Sequence, residues 1–584
     1  MSTEAQRDRL AIGWKMEVAG FALSIVGAVG ILGQIYNGCI TGYRVFSSAK
    51  NLGKDSERIV CKIKIEEMRF RVWGREWGVV EGKFEAHLSA TVWEGLRDLA
   101  RDILTQLLST ILDCHKLQEK YGLKEEAPGS VDKEAYTVWK TAAEPTSPSF
   151  SSKLKKEMGM AGLRAKWVIA DKDKFDAFLQ ELGYYNDRLE KLFPPSRVAT
   201  LQRTWTNELL STAQRDIEHL ELLESAASGK YPRLNALAHL KQLRINLDAK
   251  EPSKKILSSS ELKIPIWRLT GYSDEKADSR HVRAVYQRPL NAPKGTAVSE
   301  DLPILVDWIE WDPEMTLDAR LHLYQRVDNI ARMLHSCSSR HPDLHTLDCL
   351  GYSEDAASNR YGIIHIRPPS SGEAVSTSIP PYETLSAVIE DGGKRTPDLD
   401  VRFKLAHTLS VALWSFHSLD WLHKSFSSSN ILFFENPAMK SPEQHYLTSP
   451  YVVGFDSSRP DGLSEMTADP KFSDGQDLYR HPDSLGMWRQ SYRKSFDIYS
   501  LGLTLLEIGL WKSIRVVYKP RYSHAIFKEK IIQGLVPALG SKTGSIFRTV
   551  VERCLTYDEG QEKEQLSPHE MMEWVVVTLE GLKA

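Results

Sequence analysis

The chain has 584 residues, of which 42% are hydrophobic and 26% charged, and its formal net charge is -2. This composition is typical of a globular protein with several domains, and the near-neutral charge gives no reason to expect a nucleic-acid partner. None of the six cysteines belongs to a C-x-x-C pair, so we expect free thiols in a reducing cytosol rather than a zinc site or a disulfide framework.

The first feature along the chain is a stretch without charged residues, "VAGFALSIVGAVGILGQIYNGCITGY", at positions 18–43. It is long enough for a transmembrane helix, but polar residues and glycines dilute it beyond Leu32. A signal peptide is a second interpretation, against which Asp8 and Glu17 interrupt the basic region and no clear A-x-A site follows. A buried helix of a bundle, or one that inserts conditionally, is the third and is favoured here.

The following 200 residues carry mostly helical patterns. Residues 59–73 alternate like a strand and also recur like a helix, and are ambiguous. Residues 93–111 repeat apolar side chains every three to four positions, as an amphipathic helix does. Residues 127–153 are rich in Pro, Ser and Thr and indicate a loop. A helix over 173–193, stopped by two prolines, and helical patterns over 198–248 complete a region predicted to be all-helical.

Near residue 250 the pattern changes. "EPSKK" and "LSSSE" indicate a linker, and short strand-like runs follow in "HVRAVYQ", "LPILVDWIEW" and "YGIIHIRP". Helical stretches come next, in "RFKLAHTLSVALWSFHSLDWL" and "FDIYSLGLTLLEIGLW". Strands followed by helices predict an α+β unit.

The N-terminal region resembles the fungal HeLo domain, an α-helical bundle, in "EVAGFALSIVGAVGIL", "ERIVCKIKIEEMRFRVWGREWGV" and "LRAKWVIADKDKFDAFLQELGYYNDRLEKL". The resemblance covers about 16–225, after an extension at 1–15, and favours helix for residues 59–73. HeLo domains permeabilise membranes in fungal programmed cell death, and the N-terminal apolar helix is thought to leave the bundle and insert. The resemblance implies the following insertion residues: Val18, Phe21, Leu23, Ile25, Val26, Val29, Ile31 and Leu32.

Residues 265–584, after a helical linker at 226–264, resemble a bilobal protein kinase. "WLHKSFSSSNILFF" has the rhythm of the catalytic loop H-R-D-L-x-x-x-N, "YVVGFDSSR" stands at the D-F-G position and "LYRHPD" at A-P-E. "HIRPP" resembles the hinge. The retained frame consists of His423, Asn430 and Asp497, and the resemblance implies that Asp497 holds the catalytic-loop backbone.

Three positions of this frame lack the groups that phosphoryl transfer requires. Ser425 stands where the proton-accepting Asp belongs, and a serine is no base near neutral pH without help. Aligned on Phe455, Gly454 replaces the metal-holding Asp. The strand around 304–312 contains no lysine, and Ile309 is the best candidate for the lysine position. With no glycine-rich loop either, we predict a pseudokinase that is not an enzyme and has no metal or required cofactor.

The complete arrangement is a multidomain chain, an all-α HeLo-type bundle followed by an α+β kinase-like fold. It is similar in architecture to the mixed-lineage kinase-like executor of necroptosis. We expect a cell-death effector of the fungal heterokaryon-incompatibility type, cytoplasmic until activation moves it to the plasma membrane. Its expected partners are membrane lipid, a protein trigger and further copies of itself, without nucleic acid. The alternative is a soluble signalling scaffold whose domains only mediate protein interactions.

Overall fold

A computed structural model of the chain describes residues 31–47, 54–79, 94–112, 117, 119–121, 123–125, 136–137, 167–169, 172–248, 261–271, 281–288, 302–337, 341–366, 382–391, 395–434, 445–460, 477–486, 489–558 and 566–582. The chain divides into two compact units, Met1–Asn235 and Ala236–Ala584.

The first unit is mainly helical. Its helices are α1 (Ile31–Ser47), α2 (Lys54–Glu76), α3 (Glu94–Leu112), α4 (Lys172–Glu190), α5 (Pro195–Ala213) and α6 (Ile217–Ala227), and α7 (Pro232–Asp248) crosses the boundary between the units. Helix α2 confirms the helical interpretation of 59–73. Helix α4 confirms the amphipathic helix predicted before the two prolines, and Pro195 occupies the first helical position of α5, where its missing N–H costs no bond.

Helices α1 to α4 share one core of large side chains. Tyr36, Phe70 and Trp73 stack within it, with Tyr36 and Phe70 ring centroids 4.7 Å apart. Trp73 is fully buried and its indole N–H donates to the Leu189 carbonyl oxygen at 2.9 Å. Every polar atom of this large aromatic is thereby satisfied, as burial requires.

The first unit is not purely α-helical, which corrects the all-helical prediction. Three short strands, β1 (Leu123–Glu125), β2 (Tyr136–Thr137) and β3 (Trp167–Ile169), form an antiparallel sheet in the order β1-β3-β2. Strand β2 falls within the stretch predicted as loop. Strands of two or three residues carry too little alternation to be read from a sequence.

The second unit begins with a mixed region built on a sheet of five described strands. These are β4 (Leu269–Thr270), β5 (His281–Tyr286), β6 (Leu302–Glu310), β7 (Asp348–Asp355) and β8 (Arg360–Ile366), all paired antiparallel in the order β4-β5-β6-β8-β7. Helix α8 (Leu317–Cys337) packs against β7. The three predicted strand-like runs are confirmed as β5, β6 and β8.

The rest of the second unit is mostly helical, with short strand pairs. Its elements are β9 (Tyr382–Thr384), α9 (Leu385–Glu390), α10 (Leu399–Ser418), β10 (Trp421–Leu422), β11 (Ile431–Phe434), β12 (Tyr451–Val452), β13 (Arg459–Pro460), α11 (Lys494–Leu510), α12 (His524–Lys530), α13 (Val536–Thr556) and α14 (Pro568–Glu580). Strand β10 pairs with β13, and β11 lies between β9 and β12. The mixed content agrees with the α+β prediction.

In the part of the chain that is described, no helix has the length and apolar character to cross a membrane. Most of the predicted insertion residues, Val18 to Val29, lie outside the described residues.

Candidate functional site

The segment 421–434 carries Ser425, one of the three predicted degenerate positions, and the retained frame residues His423 and Asn430. A buried carboxylate holds its backbone. Asp497, in the first turn of α11, is fully buried and accepts from the backbone N–H groups of His423 at 2.8 Å and Lys424 at 2.9 Å. The Tyr492 hydroxyl donates to the same carboxylate at 2.8 Å. Burial alone would raise the pKa of Asp497, but the hydrogen bond and charge of His417, the charge of His423 and the Lys424 backbone N–H lower it below its ordinary value. Asp497 therefore fixes the start of the segment as a carboxylate.

A hydrogen bond from the Asn430 side chain to the Ser425 backbone joins these two residues. The Asn430 side-chain amide donates to the Ser425 carbonyl oxygen at 2.7 Å, which closes the loop between them. The Ser425 hydroxyl oxygen is buried and has no hydrogen-bond partner among the described residues. Among the described residues, no carboxylate or imidazole forms a hydrogen bond with this hydroxyl.

Gly454 leaves no room for a side chain. Its φ of 82° lies in the left-handed region, and a Cβ built on it would lie 2.4 Å from Asn430 Cγ. The Asn430 amide thus occupies the space into which an aspartate at position 454 would extend. Asp456, two residues later, accepts instead from the Ser457 hydroxyl at 3.2 Å.

The side chain that reaches Gly454 from strand β6 is Asp307, which was not among the predicted site residues. Asp307 is fully buried and its Oδ2 accepts from the Gly454 backbone N–H at 3.1 Å. The predicted lysine position, Ile309, is also buried and lies two residues further along the same side of the strand. The charged side chain of β6 that contacts Gly454 is thus a carboxylate.

Two histidines on the neighbouring strands accompany Asp307. His281 on β5 places Nδ1 3.3 Å from Asp307 Oδ1. His365 on β8 is 1% exposed, and its burial lowers its pKa to about 4, against the opposing effect of Asp307. His365 is therefore neutral at physiological pH.

Apolar side chains fill the space between β6 and the 421–434 segment. Leu305, Leu347, Leu432 and Val453 form one buried cluster, flanked by partly buried Tyr382, Phe434 and Tyr451. The Tyr382 hydroxyl donates to the His281 carbonyl oxygen at 2.5 Å and so ties β9 to β5.

The described residues around the segment offer no metal-binding constellation. No group of three or more His, Cys, Asp or Glu side chains among them could hold a metal ion. A small pocket near Ser425 is lined by Lys424, Ser427, Asn430 and Arg480 among others. The Lys424 ammonium lies 5.3 Å from the Tyr492 ring centroid, a cation–π contact that keeps it in the interior.

In the first unit, the C-terminal part of the charge-free stretch lies in helix α1, and most of the described side chains of α1 are buried in the core. Leu32 is 3% exposed and Tyr43 fully buried. Gly38 and Gly42 let α1 approach α3 closely, since Cβ atoms there would lie 2.9 Å from Leu108 and 2.1 Å from Ile111. Of the predicted insertion residues, Leu32 is thus part of the core, and Ile31 is the first residue of α1.

A buried ionic network centred on Arg69 was not predicted. Its guanidinium donates to Glu190 at 2.9 Å, Asp187 at 2.6 Å and Glu66 at 3.1 Å. Tyr231 and Lys230 donate to the same Glu66 at 2.5 Å and 2.8 Å. Burial would raise the pKa of Glu66, but its cationic and hydroxyl partners lower it. Arg69 and Glu66 lie more than 100 residues in sequence from Asp187, Glu190, Lys230 and Tyr231, so no local pattern reveals these contacts.

Comparison with known proteins finds a family model that matches the first unit. Residues 24–223 match the family model of HeLo, described as prion-inhibition and propagation. The N-terminal region carries a HeLo domain. The domain is also similar to heterokaryon incompatibility protein S of Podospora anserina, 24% identical over 208 residues, which is 35% of this chain and 69% of that protein. Tyr231 and Lys230 lie beyond the residues of the HeLo match.

The second unit matches a different family model. Residues 307–576 match a domain described only as of unknown function (DUF7580). The match begins at Asp307, within β6, and extends into α14.

Proposed function

We propose that this protein is a membrane-permeabilising cell-death effector of the fungal heterokaryon-incompatibility type. The HeLo domain is the observation that carries the proposal, and the name of the Podospora relative supports it. The charge-free stretch at 18–43 supplies an apolar segment that could enter a bilayer. In this proposal the protein is cytoplasmic at rest, and a protein trigger sends it to the plasma membrane, where copies assemble.

We further propose that the second unit is a kinase-like domain that controls the HeLo domain. The five-strand antiparallel sheet with α8 beside it, followed by the helical region, supports a bilobal arrangement. The Asp497 bonds to the backbone of His423 and Lys424 are the contacts that the kinase resemblance implies. A domain that binds only the resting form of another stabilises that form, and this linkage is how the control would operate.

In this proposal the kinase-like domain transfers no phosphate. Ser425 lacks an activating partner among the described residues, Gly454 has no room for a carboxylate, and Ile309 at the predicted lysine position carries no charge, while Asp307 on the same strand is acidic. Assays with labelled ATP and Mg²⁺ or Mn²⁺ on generic substrates test this. Turnover that disappears in Asn430→Ala would show that the domain is an active enzyme.

The alternative is a signalling scaffold in which the HeLo domain only binds proteins. The buried state of Leu32, Tyr36 and Tyr43 favours it, because these residues of the charge-free stretch are packed in protein. Releasing all of them into lipid would dismantle the core of the first unit.

Dye leakage from anionic liposomes distinguishes the two. The full chain is compared with a fragment ending at residue 235, which retains the Tyr231 and Lys230 bonds to Glu66. The effector hypothesis predicts strong leakage with the fragment and less with the full chain. A fragment that is helical by circular dichroism but releases no dye from liposomes of any lipid composition tested would favour the scaffold.

A further inference from the structure

The strongest unassigned feature is an exposed basic segment on the second unit, residues 512–530, "KSIRVVYKPRYSHAIFKEK". It contains six lysines and arginines and one acidic residue, a formal charge of +5 in a chain whose total is -2. The segment runs from the end of α11 through α12. We call it the basic segment.

The cationic side chains of the basic segment are directed to solvent. Lys512, Arg515, Lys519, Arg521 and Lys530 are all exposed, and none forms an ion pair within the described part of the chain. Lys528 differs, because it is half-buried and contacts His481 Nε2 at 2.8 Å. Arg515 interacts electrostatically with the buried Glu507 carboxyl, and the other four exposed cations have no described carboxylate within ion-pair distance.

The basic segment is compact rather than extended. The Tyr518 and Phe527 rings pack edge to face with centroids 5.6 Å apart, which folds the middle of the segment onto α12. The Lys519 ammonium and the Arg521 guanidinium both lie 5.9 Å from the Tyr522 ring centroid. These contacts concentrate charge and aromatic surface in one place.

Large aliphatic side chains are exposed beside these charges. Val516 is 65% exposed and Ile526 is 43% exposed. Exposed aliphatic residues interleaved with Lys, Arg and Tyr are the surface chemistry of proteins that lie on anionic bilayers. Nucleic acid would use the charges but has no apolar surface for Val516 and Ile526, and this favours lipid.

We propose that the basic segment is a binding surface for anionic membranes. Lys519, Arg521 and their neighbours contact lipid phosphates and carboxylates, while Val516 and Ile526 enter the interfacial region. The inference goes beyond the proposed function, because it assigns membrane contact to the second unit and requires no permeabilisation by the HeLo domain.

Vesicle sedimentation with the full chain tests the proposal. Vesicles of phosphatidylcholine and phosphatidylserine are compared with vesicles of phosphatidylcholine alone. Each basic residue near an anionic surface contributes about 1 kcal/mol, so Lys519→Gln with Arg521→Gln should weaken binding roughly 30-fold. The matched control is Arg395→Gln with Lys404→Gln, two exposed basic residues elsewhere on the second unit, which should bind as the wild type does.

A second pair of variants tests the contribution of the apolar side chains to vesicle binding. Val516→Ser should weaken binding, whereas Leu317→Ser, which changes a side chain 70% exposed on α8, should not. Equal binding by the basic-segment variants and the wild type would overturn the proposal. A second outcome would also overturn it: the wild type binds an acidic protein or an oligonucleotide but no vesicles, and the basic-segment variants lose that binding. Leakage is read from the same samples, and failure to leak with binding retained contradicts only the proposed permeabilisation.

Discussion

The glycine at position 454 is fitted to the residues around it. The left-handed backbone of Gly454 and the Asn430 amide above it are fitted to each other, and Asn430 is itself engaged with the Ser425 carbonyl oxygen. A carboxylate side chain at 454 would therefore require Asn430 to move as well.

Gly454→Ala should destabilise the second unit more than Gly486→Ala. Both glycines have φ of 82°, but nothing lies within 4 Å of a Cβ at 486. An L-residue in this conformation costs about 1–2 kcal/mol, and the Asn430 contact should add about 1–3 kcal/mol at 454 only. Urea unfolding of both variants measures the difference. Equal losses of unfolding free energy in the two variants would mean that the Asn430 side chain moves aside without destabilising the protein.

Asp420 is the carboxylate whose protonation should affect stability most clearly. Lys494 and Lys241 lie 2.8 Å and 3.1 Å from its oxygens, and Lys241 is almost fully buried. Burial opposes ionisation, but these cations lower the pKa of Asp420 to about 2. Because the folded pKa is below the unfolded value, the stabilisation is fully present above about pH 4 and is lost as the pH falls through about 2.

Asp420→Asn should therefore cost about 2 kcal/mol of unfolding free energy at neutral pH, and that difference from wild type should shrink as the pH falls from about 4 to about 2. Asp398→Asn is the control, since its Arg395 pair is exposed and 3.6 Å long. Urea unfolding across this pH range provides the measurement. A difference that stayed constant down to the lowest pH would show that the charge of Asp420 is not what stabilises the site.

At the scale of elements, the close approach of α1 and α3 defines how the first unit packs. Gly42 allows contact with Ile111 at a distance that no side chain would permit. Both helices are long and amphipathic, so the contact fixes their relative position along much of their length.

Gly42→Ala should destabilise the first unit by about 1–3 kcal/mol through overpacking. The same change in an Ile111→Ala background should cost much less, because the colliding Cγ2 is gone. Gly95→Ala in the first turn of α3 is the matched control, since nothing lies within 4 Å of its added Cβ. Thermal unfolding is measured for Gly42→Ala, Ile111→Ala, the double variant and Gly95→Ala. If the losses of Gly42→Ala and Ile111→Ala simply add in the double variant, the contact between these two residues is contradicted.

The helices and longer strands were predictable because their signal is local. Residues 173–193 carry a regular apolar stripe and form α4, and the strand-like runs form β5, β6 and β8. The site residues Asp307 and Arg69 were not predictable. Their partners, Gly454 and Glu190, lie more than 100 residues away in sequence, and only the fold brings them together.

At the scale of the whole molecule, the charge-free stretch at 18–43 has two parts. Residues from 31 onward belong to α1, and residues 18–30 lie outside the described part of the chain. Its described part, α1, contributes Leu32, Tyr43 and Phe46 to the core of the first unit. The apolar residues 18–29 precede this packing. A membrane-active segment could thus be confined to the residues before α1, while α1 itself remains in the bundle.

Two deletions separate these roles. Removal of residues 1–47 takes away α1, including Tyr36, Tyr43 and Phe46, whose burial contributes about 1.5–3 kcal/mol each. This chain should lose helical circular dichroism or aggregate. Removal of residues 1–30 keeps these core side chains, so the protein should remain folded and soluble but no longer release dye from anionic liposomes. A chain lacking 1–30 that still permeabilises would exclude residues 18–29 from the mechanism. A chain lacking 1–47 that melts like the wild type would instead show that α1 is dispensable to the fold and free to act as the inserting helix.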